Sequence, residues 1–222
     1  MPEASGREGR AFFIPRDNEG VIHSSIFDLG RVLIPFDFDR AYRQMTARCG
    51  LSTDQIRARL HAAGIVPEYE SGRIESRDFV AQVGKILDIA LSYEEFCEIW
   101  SSIFLPETLV PESFIQALRR RYRMVLLSNT NDIHYTMLER RYPILSHFDA
   151  YTLSHKVGAM KPEPAIYADA VGKAQCAPGE CFFTDDMPEY VEGARRFGID
   201  AVRFEGYEPL QQAMRARGIE WD

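Results

Sequence analysis

The sequence predicts an α/β fold in which a parallel sheet forms the core and a block of helices is inserted after the first strand. Three observations lead to this prediction. Short apolar runs closed by polar residues are typical of buried parallel strands. Over residues 38–104 the apolar side chains recur at helical spacing, without a strand-like run between them. After Pro106, strand-like and helical segments alternate again, as they do when helices connect parallel strands.

The first strand is predicted at residues 21–28, after a polar stretch that we interpret as a loose tail. Two N-cap signals follow: Ser52 precedes an apolar helical pattern, and Ser92 with Glu95 has the spacing of a capping box. Residues 76–87 form a third helical pattern. We therefore predict a tail at residues 1–20, a helical cap at 37–105, and an α/β core built from 21–36 and 106–222.

The second half of the chain is predicted to alternate between the two kinds of element. The predicted strands are residues 124–128, 150–154, 181–185 and 199–204, and the predicted helices are 111–121, 133–142, 162–173, 188–197 and 210–217. Pro162 is expected in the first turn of its helix, where proline is tolerated. Gly198 is expected to end the helix before it.

Composition argues against several classes of protein. The net charge is −7, whereas a nucleic-acid-binding protein needs a basic surface. No apolar run is long enough to span a membrane, and Pro15 interrupts the short apolar segment near the N-terminus. The four cysteines are scattered without metal-ligand spacing, which favours reduced, buried thiols and a cytoplasmic protein.

Polar residues close three of the predicted strands, and a lysine lies in the loop before a later helix. In order they are Asp28, then Ser128-Asn129-Thr130, then Lys161, then Asp185-Asp186. Ligands of open α/β sheets bind at the carboxyl ends of the strands, so these groups are expected to meet at one edge. Each residue alone is ordinary, because an Asp or Ser after a strand is often a helix cap. The specific signal is the combination.

The combination fits phosphate-ester hydrolysis. Asp28 can attack phosphorus, and Lys161 can neutralise charge on the transferring group. Ser128 and the backbone amides of Asn129 and Thr130 can donate hydrogen bonds to phosphate oxygens. Carboxylates suit Mg²⁺, for which we predict Asp28 and Asp186 as ligands, with Asp185 binding through water or supporting the site.

The order and spacing of these residues resemble the haloacid dehalogenase (HAD) superfamily, and the resemblance extends over residues 22–206. Within the superfamily, the chain is similar to bacterial phosphatases of the α-glucose-1-phosphate type. This similarity lies in the segments Phe27-Asp28-Leu29-Gly30 and Leu127-Ser128-Asn129-Thr130-Asn131. The resemblance implies a Rossmann-like core with a C1-type cap, a Mg²⁺ ligand at the Gly30 carbonyl, and a small, possibly sugar, phosphate as substrate. In the cap it implies substrate contacts, for which the candidates are Tyr69, Glu70 and Arg73, in a segment that we predict as a Gly-containing turn between two cap helices.

This chain differs from most phosphatases of the superfamily at one position. Where it has Gly30, they have a second Asp, which the resemblance implies is a general acid. Three explanations are open. The leaving group can be acidic enough to depart unaided, as an anomeric sugar hydroxyl is; another acid can substitute, with Asp37, Asp39 and Asp132 as candidates; or the reaction can differ. The last case includes 2-haloacid dehalogenation and a non-catalytic, phosphate-binding role, and the Asp185-Asp186 pair argues against dehalogenation because uncompensated carboxylates repel an anionic substrate.

Overall fold

The computed structural model describes residues 20–221, so the predicted tail at residues 1–20 lies outside it except for Gly20. Its sheet has five parallel strands in the order β3-β2-β1-β4-β5. The strands are β1 Ser24–Phe27, β2 Arg123–Ser128, β3 Ala150–Leu153, β4 Cys181–Asp185 and β5 Asp200–Arg203. The predicted α/β fold class with a parallel sheet is confirmed, and β1, which ends at Asp28, is the central strand.

Six helices lie between β1 and β2, and we call the first five the helical insert. They are α1 Asp39–Cys49, α2 Thr53–Ala63, α3 Ile65–Glu70, α4 Ser76–Leu87 and α5 Tyr93–Ser101. Both predicted N-caps are present as complete capping boxes, in which Ser52 pairs with Gln55 and Ser92 pairs with Glu95. Each box satisfies backbone amides that the first helical turn leaves without partners.

The other helices belong to the part of the chain that forms the rest of the sheet. Helix α6, Glu112–Arg119, leads into β2. The helices between later strands are α7 Asp132–Arg141, α8 Ser154–Val157, α9 Pro164–Ala174 and α10 Pro188–Arg196, and α11 Tyr207–Arg215 follows β5. Short 3₁₀ helices occupy Pro143–His147 and Pro178–Glu180. Gly198 follows α10 with a φ of 94°, a conformation that glycine adopts without steric cost.

Two local predictions were wrong. The helix after Lys161 begins at Pro164 and not at Pro162, because Glu163 is its extended N-cap residue and Pro164 occupies the first turn. The segment containing Tyr69 and Glu70, predicted as part of a turn, is the last turn of α3. In that segment the turn itself is limited to the residues around Gly72.

The hydrophobic core has two parts, one on each face of the sheet. On one face, Phe27, Leu126 and Phe182 belong to a cluster that continues into the insert through buried side chains such as Phe79 and Trp100. On the other face, Ile26, Val125 and Phe183 pack against α9 and α10. The insert and the sheet therefore share one continuous apolar interior. Within residues 20–221, no helix is both long and apolar enough to cross a membrane.

Candidate active site

The carboxyl ends of β1, β2 and β4 bring Asp28, Ser128 and Asp185 to one edge of the sheet. The loop before α9 places Lys161 between the two carboxylates. Its Nζ lies 2.7 Å from Asp28 Oδ1 and 2.5 Å from Asp185 Oδ2. All three side chains are buried, with Asp28 only 6% and Lys161 only 3% exposed. A buried charge is costly unless it is paired, so each of these groups requires the others.

Asn129 holds the backbone of Lys161 in position. Its Oδ1 accepts a hydrogen bond from the Lys161 amide at 2.8 Å, and its Nδ2 donates to the Lys161 carbonyl at 3.1 Å. The ring of Tyr190 lies 5.1 Å from Nζ, which adds a cation–π contact. We predicted only the backbone amide of Asn129 in the site, and Tyr190 was not predicted there. The Asn129 side chain links the second predicted motif to the third.

Three carboxylates converge beside this lysine. Asp28, Asp185 and Asp186 each offer an oxygen, and these oxygens all lie within 4.8 Å of one another. One lysine cannot balance three carboxylates. Burial, with a further contribution from Asp185, raises the pKa of Asp28 to about 7 despite the opposing effect of Lys161. Burial and Asp185 also raise the pKa of Asp186. Close, hard oxygen donors with excess negative charge form a set that suits a divalent cation.

Asp185 supports the lysine with one carboxylate oxygen and the following loop with the other. Its Oδ1 accepts a hydrogen bond from the Met187 amide at 2.8 Å, while its Oδ2 pairs with Lys161. Although burial alone lowers the pKa of Lys161, the carboxylates of Asp185 and Asp28 outweigh burial and raise it above its ordinary value. Lys161 is therefore a permanent cation in the site.

The backbone after β2 offers fewer free donors than expected. The Thr130 amide already donates to Ser154 Oγ at 2.9 Å, so it is not free to bind phosphate as we predicted. Ser128 is buried at the same edge. In the described part of the chain its hydroxyl donates one hydrogen bond, a long one of 3.4 Å, to the Asn129 carbonyl. Ser154 follows β3, a strand that the sequence did predict. Its position at the end of that strand is the signal that could have identified it.

Phe36 occupies the space beside Gly30 in which a second Asp would extend. A Cβ atom built on Gly30 would lie 2.7 Å from Cε1 of the Phe36 ring. The ring itself packs edge-on against Phe38 and Phe104, and the Arg31 guanidinium lies 4.8 Å from its centroid. The absence of an acid at position 30 is thus matched by the surrounding packing.

The three alternative acids that we considered lie elsewhere. Asp37 and Asp132 are exposed, and Asp39 is partly buried. Asp37 pairs with Arg43, and Asp39 pairs with Arg57. Asp132 accepts a hydrogen bond from Ser76.

Of the three cap candidates, only Glu70 lines the cavity next to Asp28. Tyr69 is 2% exposed, and its hydroxyl is engaged by the Ile133 amide and by Ser76. Arg73 forms an exposed ion pair with Glu68. Glu70 instead lines a cavity of about 50 Å³. The other residues that line this cavity include Leu29, Gly30, Ser128, Asn129 and Thr130.

Two larger clefts lie away from the carboxylates. One, of about 570 Å³, is a groove on the insert between α4 and α5, and the other, of about 620 Å³, lies between α5 and α7. Neither is lined by Asp28, Lys161, Asp185 or Asp186. The small cavity is not lined by these four side chains either, but its lining includes Leu29, which follows Asp28, and Ser128, which lies at the same edge of the sheet, so it is the cavity next to the carboxylates.

The fold and these residues can be compared with known proteins. The family model of haloacid dehalogenase-like hydrolases matches residues 26–198. The chain is 28% identical to the D-ribitol-5-phosphate phosphatase of Bacteroides thetaiotaomicron over 208 residues, which cover 90% of this chain and 95% of that protein.

Two solved structures are also similar. A HAD family enzyme from Bacteroides thetaiotaomicron, in complex with magnesium and inorganic phosphate, superposes with a TM-score of 0.73 at 26% identity. This match covers 83% of this chain and 95% of that one. A predicted HAD-like hydrolase from Porphyromonas gingivalis has a TM-score of 0.76 at 28% identity and covers 90% and 99% of the two chains. The match of the family model over most of the sheet and all the clustered site residues shows that this chain belongs to the haloacid dehalogenase-like hydrolase family.

Proposed function

We propose that this protein is a magnesium-dependent phosphomonoesterase that works through an aspartyl-phosphate on Asp28 and acts on a small phosphate ester. The observation that carries the proposal is the buried pairing of Lys161 with Asp28 and Asp185, next to Asp186. This arrangement presents a carboxylate oxygen at the end of the central strand and holds one fixed cation against it.

In the first step an Asp28 oxygen forms a bond to phosphorus while the ester P–O bond breaks and the leaving oxygen departs with the electron pair. In the second step water attacks the same phosphorus, the bond to Asp28 breaks, and inorganic phosphate is released. Dividing the reaction in this way replaces one difficult displacement by two easier ones. Lys161 and the Ser128 hydroxyl face the oxygens on which negative charge accumulates.

Asp28 and Asp186 are the side chains that we propose as ligands of Mg²⁺, with the Gly30 carbonyl as a backbone ligand. Asp185 contributes by holding Lys161. The donor set fits, because it consists of hard oxygens with a surplus of negative charge. When bound, Mg²⁺ supplies charge neutralisation for the phosphate. The similar structure with magnesium and phosphate supports this assignment.

A sugar or polyol phosphate is the substrate class that the relatives support, since one of them is named for ribitol 5-phosphate. The three converging carboxylates count against 2-haloacid dehalogenation, because they would repel an anionic substrate without a cation.

The proposal is tested by hydrolysis of p-nitrophenyl phosphate, an ester, and of acetyl phosphate, a smaller acyl phosphate whose acetate leaving group needs no proton. Each is measured with Mg²⁺, with EDTA, and with the Asp28→Asn variant. We expect turnover that requires Mg²⁺ and that falls by at least about 10³-fold in the variant, as expected for the loss of a nucleophile. If the intact protein hydrolyses neither compound, the enzyme proposal is wrong and a phosphate-binding role replaces it.

A further inference from the structure

Glu70 is the one ionisable side chain of the insert in the cavity beside Asp28 for which the described residues provide no partner. Within residues 20–221 its carboxylate has no hydrogen bond or ion pair, although the side chain is largely buried. Burial raises the pKa of Glu70 to about 7. Its backbone carbonyl lies 2.5 Å from Ser154 Oγ, which anchors the end of α3 to the core. A partly buried carboxyl group that has no partner among the described residues lacks a hydrogen-bond donor.

Several walls of this cavity are apolar. Its walls include the rings of Phe36, Phe38 and Phe104, and none of the described residues that line it is Lys or Arg. His134 also lines it, but both ring nitrogens are engaged, Nδ1 with Asn131 and Nε2 with the Trp100 carbonyl. Burial lowers the pKa of His134 to about 4, so this ring is uncharged near neutral pH. Among the described residues, the lining of this cavity therefore offers no cation to receive a second anionic group of a substrate; the Arg31 guanidinium contacts the Phe36 ring but does not line the cavity.

We propose that Glu70 selects the leaving group: it accepts a hydrogen bond from an ammonium or hydroxyl group of the substrate and rejects substrates with a second anionic group. The inference rests on the proposed phosphatase function and narrows its substrate class. The favoured substrates are phosphate monoesters whose leaving group carries a hydroxyl or ammonium donor and no second anionic group.

Three esters of matched size test the role of charge: 2-aminoethyl, 2-hydroxyethyl and carboxymethyl phosphate. Each is measured at pH 8 as a competitive inhibitor of acetyl phosphate hydrolysis, so that differences in leaving-group chemistry do not enter. We expect the inhibition constant of carboxymethyl phosphate to exceed those of the other two by about 10-fold or more, as a lost charge-assisted hydrogen bond predicts. An aminoethyl ester that binds about 10-fold tighter than the hydroxyethyl ester identifies an ammonium substrate, and equal binding identifies a hydroxyl-bearing one.

Glu70→Gln should bring the three inhibition constants to within about threefold of one another, because the amide keeps the size of the side chain and loses its charge. Glu70→Lys should reverse the order. Glu68→Gln is the matched control, since Glu68 lies on the same helix and its side chain, which is 47% exposed, is paired with Arg73. This variant should keep the order found in the intact protein.

The inference is overturned if carboxymethyl phosphate binds the intact protein as tightly as the other two esters, a result that needs no variant. It is also overturned if Glu70→Gln keeps the original order. Absence of acetyl phosphate turnover is a different failure, that of the proposed function. In that case the three esters are compared by calorimetric titration in Mg²⁺, and the same order of affinities is expected.

Discussion

At the residue scale, the site depends on a balance of buried charges that single residues control. We predicted from the sequence that Lys161 lies near Asp28. In the structure Lys161 has Asp185 as a second partner, and the Asn129 side chain binds its backbone. Strand ends can be read from apolar runs, so the residue types at the sheet edge were predictable. Which carboxylate pairs with which cation depends on loop conformation, which no local pattern in the sequence records.

Gly30 leads to a prediction about leaving groups. Because Gly30 has no carboxyl group, it cannot protonate the departing oxygen. A positioned general acid normally increases the rate by about 10²–10⁴-fold. We expect kcat for p-nitrophenyl phosphate to exceed kcat for simple alkyl phosphates such as methyl phosphate. The measurement is steady-state turnover of both esters under saturating Mg²⁺. Equal rates would mean that another group supplies the proton.

Restoring the acid is expected to require two substitutions. Gly30→Asp alone places a Cβ 2.7 Å from the Phe36 ring, which is held by neighbouring aromatic rings. Such overpacking typically costs about 1–3 kcal/mol. We therefore expect Gly30→Asp to lower the free energy of unfolding without accelerating alkyl phosphate hydrolysis, and Gly30→Asp with Phe36→Leu to recover stability and raise that rate.

Urea unfolding and alkyl phosphate turnover of both variants measure these effects, with Gly30→Ala as the control for the steric part alone. A Gly30→Asp protein as stable as the intact one would show that the Phe36 ring moves aside freely.

At the element scale, capping patterns predicted the helices well where they were complete. Both capping boxes begin helices as expected. Helix α4, which has no side-chain cap, also has the predicted bounds, because its apolar residues recur at helical spacing. Helix α3 was missed because it has six residues, contains Pro67, and follows Gly64 without a side-chain cap. Its position matters for the site, since its last residue is Glu70. A helix this short owes its stability to tertiary contacts, and those are invisible to a local pattern.

The loop after α3 joins the insert to the core by a close backbone contact. Gly72 has a φ of 72°, and a Cβ there would lie within clashing distance of the His155 carbonyl oxygen. Nearby, the Tyr69 hydroxyl accepts a hydrogen bond from the Ile133 amide at 3.1 Å. These contacts hold Glu70 over the cavity.

We therefore predict that Gly72→Ala separates the insert from the core and lowers kcat/KM by about 10-fold or more, since a misplaced site residue has effects of this order. Gly64→Ala is a matched control, because Gly64 has a similar φ of 61° but has nothing within 4 Å of its added Cβ. Both variants pay for the left-handed conformation, about 1–2 kcal/mol. Only Gly72→Ala should lose activity. Equal losses of kcat/KM in the two variants would contradict this account of the contact.

At the scale of the whole molecule, the insert and the sheet share one apolar interior. Besides the cluster around Lys161, the ionisable groups His134 and Glu70 lie within this interior or at its edge. His134 is buried where α7 meets α5, and its ring stacks on Trp100 at 5.6 Å. Glu70 lies on the other side of the cavity. Burial shifts both pKa values in the direction that favours the uncharged form. The pH dependence of folding therefore reports on the interior that the insert closes.

The two groups act on stability in opposite directions. Burial lowers the pKa of His134 from 6.5 to about 4, so its contribution is complete above pH 6.5 and is lost as the pH falls toward 4. Burial raises the pKa of Glu70 from 4.5 to about 7, so the folded state is not penalised below pH 4.5 and loses stability as the pH rises toward 7. Shifts of this size correspond to roughly 3 kcal/mol each.

Glu70→Gln makes the second effect measurable. At pH 4.5 the variant and the intact protein should have nearly equal free energies of unfolding, because Glu70 of the intact protein is protonated in the folded state and still about half protonated in the unfolded state. By pH 8 the variant should be more stable by about 1–3 kcal/mol, since the intact protein then keeps a charge in a largely buried position. Urea unfolding in EDTA at pH 4.5, 6 and 8 gives the three differences.

Glu68→Gln again provides the comparison. The hydrogen bond from Arg73 lowers the pKa of Glu68, so its removal should cost stability at pH 8, the opposite sign from Glu70→Gln. The difference should be smaller, because the pair is exposed to solvent. A difference between Glu70→Gln and the intact protein that stayed constant from pH 4.5 to 8 would mean that Glu70 ionises as readily in the folded chain as in the unfolded one. The carboxyl group would then be open to water, and the cavity would not close over the leaving group.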